Sequence, residues 1–248
     1  MNAALRAGAP SATAAVALGA PQRKVAFTVP TGNFGDVFAG YVAMRMGLPI
    51  ERLVVATNVN DILVRTLKTG TYELRDVIAT TSPSMDIQVS SNFERLLFDA
   101  YDRDGRAVRA LMGSLAQSRR FSIAPAPLGE IRSRFAAGRA DEDETAAAIR
   151  TVCKEADYLI DPHTAVAMAV AEKEPRDPAV PMIVLATAHP AKFPDAVAAA
   201  CGRTPALPDW LADLPTRKER VTVLPADQGA VERFILAASR AAQEGAAA

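Results

Sequence analysis

Three short apolar runs, Val25 to Val29, Leu53 to Ala56 and Met182 to Ala186, lack polar alternation and read as strands buried on both faces of a parallel sheet. The first leads through Pro30-Thr31-Gly32-Asn33-Phe34-Gly35 into residues 36–46. There Val37, Phe38, Tyr41, Val42 and Met46 recur at helical spacing, and Gly47 and Pro49 stop the helix. A second unit follows at once: strand 53–56, the polar turn Thr57-Asn58-Val59-Asn60-Asp61, and a helix to about Lys68 closed by Gly70. Alternating strands and helices predict an α/β fold, a layered parallel sheet with helices on both faces.

The middle of the chain reads as helical. Ser90 or Ser91 is expected to cap a helix through Phe93, Leu96, Leu97 and Ala100, with Glu94 completing a capping box. Further helices are expected over 106–118, 128–137 and 142–156. The acidic run Asp141 to Glu144 opens the last of these, because carboxylates oppose the helix dipole there. Asp161-Pro162 starts another helix, with proline at its first position. A helix follows Pro190, a strand lies near 221–224, and Val231 to Arg240 forms an amphipathic helix. Residues 1–20 are Ala-rich and stand apart as a leader helix, leaving 21–248 as one large domain.

Composition narrows the function. The 28 basic residues balance the 28 acidic ones, so no global field steers the chain toward nucleic acid or anionic lipid. Cys153 and Cys201 form no CxxC pair, which disfavours zinc and a disulfide scaffold and fits a reducing cytoplasm. Gly8, Pro10, Ser11 and Thr13 break up any signal-peptide core, and no run is long enough for a membrane helix.

The strongest local signal is Thr31-Gly32-Asn33-Phe34-Gly35-Asp36 between a strand and a helix. Glycines let the backbone turn sharply, and the free amides at a helix start attract an anion, with phosphate the natural occupant. The pattern is neither GxGxxG nor a Walker loop, which disfavours dinucleotides and nucleoside triphosphates. On the residues alone a phosphate site and a plain tight connection stand level. Thr187-Ala188-His189-Pro190 ends the third strand, where open α/β sheets bind ligands. Spacing alone favours a strand end followed by a histidine cap.

VPTGNFGDVFAGYVAMRMGLP, VVATNVNDIL, SPSMDIQVSSNFERLLFD, DPHTAVA and LATAHPAKFPDAV occur here in the order found in threonine synthases. The chain resembles the branch that carries the GNFG loop, from about Ala14 to the final helix. The resemblance implies the tryptophan synthase β-like fold of pyridoxal phosphate (PLP) enzymes, fold type II, present here in part. It implies conversion of O-phosphohomoserine and water into threonine and phosphate. Gly32, Asn33, Phe34 and Gly35 would cradle the PLP phosphate, and Thr187 would bond the pyridine nitrogen. A neutral hydroxyl there supplies no opposite charge to a pyridinium, which suits elimination and replacement at the β and γ carbons. Asn92 and Arg95 are the candidate substrate contacts, because an arginine fork matches phosphate and carboxylate. Arg95 could equally be a solvated helix residue paired with Glu94 or Asp99.

One expected part is missing. The family's Schiff-base lysine stands in a Phe-Lys-Asp context ahead of GNFG, and none of Lys24, Lys68, Lys154, Lys173, Lys192 and Lys218 has that context. The chain therefore reads as the carboxyl-terminal portion of such an enzyme, inactive alone. Two other readings stand beside it: a non-catalytic phosphate- or PLP-binding module, and an assembly partner of a lysine-bearing chain. Loss of an amino-terminal domain would uncover apolar surface, so self-association is also expected.

Overall fold

The computed structural model describes residues 12–239. The leader expected over 1–20 lies partly outside them; residues 12–17 are helical. The chain divides into two compact units, Met1–Ala206 and Leu207–Ala248.

In the first unit, β1 (Val25–Pro30), β2 (Ile50–Thr57), β5 (Phe135–Arg139) and β6 (Met182–Val184) form a parallel sheet in the order β5-β2-β1-β6. Two short strands, β3 (Thr71–Glu73) and β4 (Arg120–Ser122), pair antiparallel as a separate ribbon. Alternate residues of the large sheet serve opposite faces. Phe27, Val29, Leu53, Val55 and Phe135 pack with α1 (Gly35–Arg45), α2 (Ile62–Thr69), α3 (Phe93–Ala100) and α5 (Pro125–Arg134). Against that core α4 (Gly105–Ser118) lays Val108, Leu111, Met112 and Leu115. Val54 and Ala56 face the other way, toward α6 (Glu142–Ala156), α7 (Pro162–Lys173) and α8 (Pro194–Cys201). This is the three-layer arrangement that the apolar runs predict. Each large side chain so buried contributes about 1.5–3 kcal/mol.

Four expectations fail in detail. The helix expected over 128–137 runs from Pro125 to Arg134, and the Ala-rich stretch after it is strand β5. Helix propensity loses there to pairing with β2 and to the burial of Phe135. Ser90 and Ser91 do not cap α3, whose N-cap residue is Asn92 without a side-chain cap bond. The box forms instead at Asp141 and Glu144, each side chain bonding the other's backbone amide. The strand near 221–224 is absent: in the second unit that stretch is irregular, with Val221 and Val223 exposed. Alternation alone makes no strand without a partner. The strand expected over 182–186 stops at Val184, although the Leu185 amide still reaches Thr28 O at 3.1 Å.

The second unit contains short turns at Asp209–Leu211 and Leu214–Thr216, then α9 (Gln228–Ala238). The Asp227 carboxylate caps α9, accepting from Ala230 N–H at 2.8 Å. In the first unit Cys153 and Cys201, distant in sequence, stand on the packed pair α6 and α8 as free, half-buried thiols. Among the described residues no helix is long and apolar enough to cross a membrane, and no cluster could hold a metal ion.

Two contacts set the middle of the fold. Gly138 in β5 lets α7 approach: a Cβ there would stand 2.7 Å from Val170 Cγ1. A helical valine has one strongly preferred rotamer and cannot swing away. Gly138→Ala should therefore lose about 1–3 kcal/mol in urea unfolding. Adding Val170→Ala should recover part of that loss, so that the double variant is less destabilised than the sum of the singles.

The second contact is the cap of α7. Asp161 is fully buried, and its carboxylate accepts from His163 N–H at 2.9 Å, from His163 Nδ1 at 2.8 Å, and from the Thr164 amide and hydroxyl. Burial pushes this carboxyl up, but the His163 and Thr164 donors outweigh it and hold it below the ordinary range. Its folded value is therefore below its unfolded one. The stability it confers is present above the unfolded value of about 3.9 and is lost as pH falls through the folded value. Asp161→Asn removes that titration. The stability gap between parent and Asp161→Asn, read from urea melts, should shrink between about pH 5 and about pH 3.

Candidate functional site

The GNFG loop follows β1 directly, and its shape is set by its own phenylalanine. Phe34 has φ 65°, a left-handed conformation that a bulky residue adopts only when its surroundings impose it. Its ring is buried, 5.2 Å edge-on from Phe93 and 5.7 Å from Phe135. Anchored there, the loop turns its backbone outward. Among the described residues none of the amides of Gly32, Asn33, Phe34, Gly35 and Asp36 finds an acceptor in the chain. Unmet amides at the start of an eleven-residue helix are donors of the kind that attract an anion.

The loop lines a cavity of about 310 Å³, and Thr187 and Lys192 line the same cavity. Lys192 Nζ lies 5.8 Å from the Phe193 ring centroid, and among the described residues no carboxylate is within ion-pair distance of it. Asp36, in the first turn of α1, is the acidic member of the lining. His189 Nδ1 accepts from Ala191 N–H at 3.1 Å, so this histidine caps the turn Pro190–Lys192, as its spacing suggests.

The back of the cavity comes from residues that sequence reasoning left aside. Ser84, Met85 and His163 complete the wall. His163 is buried, and its Nε2 accepts from Ser84 N–H at 3.2 Å while Nδ1 faces Asp161. Ser84 in turn presses on the loop: a Cβ at Gly32 would lie 2.5 Å from Ser84 O. Only glycine fits there.

The irregular stretch carrying Ser84 is tied down by buried amides. Asn58 Nδ2 donates to Thr80 Oγ1 and to Asp86 Oδ1, each at 2.8 Å, and Asn60 Nδ2 donates to Ile78 O at 2.8 Å. Asp86 Oδ2 also accepts from Thr80 N–H at 2.8 Å. The polar turn 57–61 is thus a clamp. The serines expected to cap α3 hold the loop instead: Ser90 Oγ donates to Gly32 O at 2.7 Å and Ser91 Oγ to Asn33 Oδ1 at 3.2 Å.

Of the residues singled out from sequence, Gly32, Asn33, Phe34, Gly35 and Thr187 share the cavity, Phe34 through its backbone alone. Asn92 stands beside the loop, its amide donating to Asn33 O at 3.1 Å. Its Nδ2 is 3.7 Å from where a Gly35 Cβ would sit. Arg95 is elsewhere, in an open groove of about 920 Å³ with Phe98, Val108 and Met112. A further cavity of about 510 Å³ holds Tyr41, Arg45 and Asp99. Arg45 Nη1 pairs with Asp99 at 2.5 Å, and the Tyr41 hydroxyl donates to the same carboxylate. That bond, opposed by partial burial and aided by Arg45, holds Asp99 below the ordinary range. Burial and the same carboxylate push Tyr41 up. These charges satisfy one another. Size does not select the site; the unmet amides do.

Comparison with known proteins agrees with this geometry. The family model "Threonine synthase, C-terminal" matches residues 164–235. A threonine synthase of Pseudomonas aeruginosa is 48% identical over 90% of this chain and 48% of its own length. The PLP-bound threonine synthase of Brucella melitensis superposes with a TM-score of 0.87 at 61% identity, covering 92% of this chain and 49% of that one. Yeast threonine synthase gives 0.79 at 39% identity, covering 88% and 48%. The chain spans about half the length of the curated relatives it matches. A glycine loop on a parallel sheet and likeness over nine-tenths of the residues point the same way: this chain is similar to threonine synthases over about half of their length.

Proposed function

We propose that the Gly32–Gly35 loop holds the phosphate of PLP, and that the chain contributes this half of a site converting O-phosphohomoserine and water into threonine and phosphate. The observation that carries the reading is the run of unmet amides from Gly32 to Asp36 in the cavity shared with Thr187 and Lys192. The donors suit a phosphate: backbone amides aimed outward and a lysine without a carboxylate partner among the described residues. When bound, PLP supplies the electron sink for chemistry at the α, β and γ carbons. Thr187 offers the ring nitrogen a neutral hydroxyl, and Lys192 balances the charge of Asp36 and part of that of the phosphate. Asn92, beside the loop, is the nearer candidate for substrate; Arg95 would have to act from the neighbouring groove.

None of the six lysines stands in a Phe-Lys-Asp context, which favours a second reading for the 248-residue chain by itself: a module that binds PLP or phosphate, or the partner of a lysine-bearing chain. The two readings share the anion site and differ in turnover.

Gly35 is the clean probe of the site. A Cβ there meets Asn92 Nδ2 at an ordinary 3.7 Å and otherwise points into open space, whereas one at Gly32 would collide with the Ser84 backbone. Gly35→Val should fold normally yet crowd the anion. Hydrogen bonds to charged groups are worth about 1.5–3 kcal/mol each, so losing two weakens binding by at least about a hundredfold. Titration of PLP and inorganic phosphate by calorimetry checks this; unchanged affinity in Gly35→Val would remove the loop as the site.

The purified chain with added PLP should release no phosphate from O-phosphohomoserine above a protein-free control. Borohydride reduction followed by mass spectrometry is the companion measurement, with no pyridoxyl adduct expected on any of the six lysines. Release that disappears in both Gly35→Val and Lys192→Met, together with a pyridoxyl adduct on Lys192, would show that Lys192 forms the Schiff base.

A further inference from the structure

We propose that His163 is the positioning residue of the anion cavity: Asp161 sets its tautomer, so that Nε2 holds the Ser84 amide and with it the turn that backs the glycine loop. The inference rests on the phosphate reading above and assigns the residue that keeps the loop in shape. His163 is 3% exposed and Asp161 is fully buried, so the imidazole relies on protein partners for its hydrogen bonds. Asp161 Oδ1, 2.8 Å from Nδ1, requires the proton on that nitrogen, which leaves the Nε2 lone pair for Ser84 N–H at 3.2 Å.

The cap of α7 does not explain the imidazole. Asp161 caps through the backbone amides of His163 and Thr164, which any residue supplies. Filling the space does not explain it either, since a leucine is of comparable size. What the ring adds is a fixed acceptor aimed at Ser84. The next link has no slack, because Ser84 O would stand 2.5 Å from a Gly32 Cβ and Met85 Cα 3.4 Å from it. A shift of the Ser84 turn therefore shifts the first amides of the loop. The other side of the ring packs 4.9 Å from Phe193, which follows Lys192. One side chain thus touches two of the cavity's walls, the Ser84 turn and the segment after Thr187, and supports the third.

The test titrates PLP and inorganic phosphate into the purified 248-residue chain by calorimetry, with melting of the ligand-free proteins recorded alongside. His163→Leu should bind about tenfold more weakly, and His163→Gln, which can still accept from Ser84 and donate to Asp161, should return to within about threefold of the parent. Asp161→Asn keeps a capping oxygen but lacks the carboxylate charge that favours the proton on Nδ1, so it too should weaken binding, by up to about tenfold. Asp161→Asn/His163→Leu should bind no more weakly than His163→Leu alone, because both changes act through one bond. The inference is overturned by parent-like affinity in His163→Leu, by equal losses in the Leu and Gln variants, or by additive losses in the double variant. If His163→Leu does not fold, Asp161→Asn decides, and parent-like binding overturns the proposal. A parent chain that binds neither probe refutes the phosphate reading and this inference together; a parent that binds, with these variants unimpaired, refutes the inference alone.

Discussion

The cavity depends on holding Phe34 in a left-handed conformation. A residue of that bulk loses on the order of 1–3 kcal/mol there, and the loss is offset only because its ring fits between Phe93 and Phe135. Phe93 opens α3 and Phe135 opens β5, so three separate segments converge on one ring. The backbone around Phe34 cannot relax toward an ordinary helix start whose first amides a capping side chain would meet. The same contact that fills the core keeps the loop's donors facing outward. Packing and binding capacity are one interaction in this loop.

A loop so strained needs support on its far side, and that support is polar. The stretch that includes Ser84 has little regular structure and cannot satisfy its backbone groups by itself. Asn58 and Asn60 are both buried and spend their amides on Thr80, Asp86 and Ile78. A buried polar network of this kind holds one geometry well and tolerates others poorly, because an unpaired member costs more than an apolar one would. The segment behind the cavity is therefore held in one shape although its regular structure is a single 3-10 turn, Pro83–Met85.

The sequence discloses this molecule unevenly. Apolar runs at 25–29 and 53–56 locate the central strands because burial on both faces leaves an uninterrupted pattern, and the capping residues Asp141 and Asp161 mark the starts of α6 and α7. Strand β5 is hidden because Phe135-Ala136-Ala137-Gly138-Arg139 is locally helix-like, and only pairing with β2 decides it. Strands β3 and β4 are three residues each, too short to show a period. At the site the glycine loop and Thr187 are legible as a turn and a strand end. His163, Ser84 and the Asn58–Asp86 clamp are not, since each acts through a partner more than twenty residues away. DPHTAVA reads locally as the start of a helix, and nothing in its spacing tells where the imidazole points.

What brings the glycine loop to Thr187 is strand register. Strands β1 and β6 run parallel with Thr28 opposite Val184. Three residues further along each chain stand Thr31, at the mouth of the loop, and Thr187. Equal offsets on parallel neighbours put both at the same carboxyl-terminal edge, where α/β sheets bind ligands. A slip of one residue in this pairing would move Met182 and Val184 off the face they share with Val54 and Ala56, so core burial resists it. The site's two halves, 156 residues apart in sequence from Thr31 to Thr187, are thus aligned by the strand pairing and hydrophobic packing beneath them. The residues that would meet a ligand are consequently free to remain unmet, Lys192 and the loop amides among them, because the fold does not need them for its own stability.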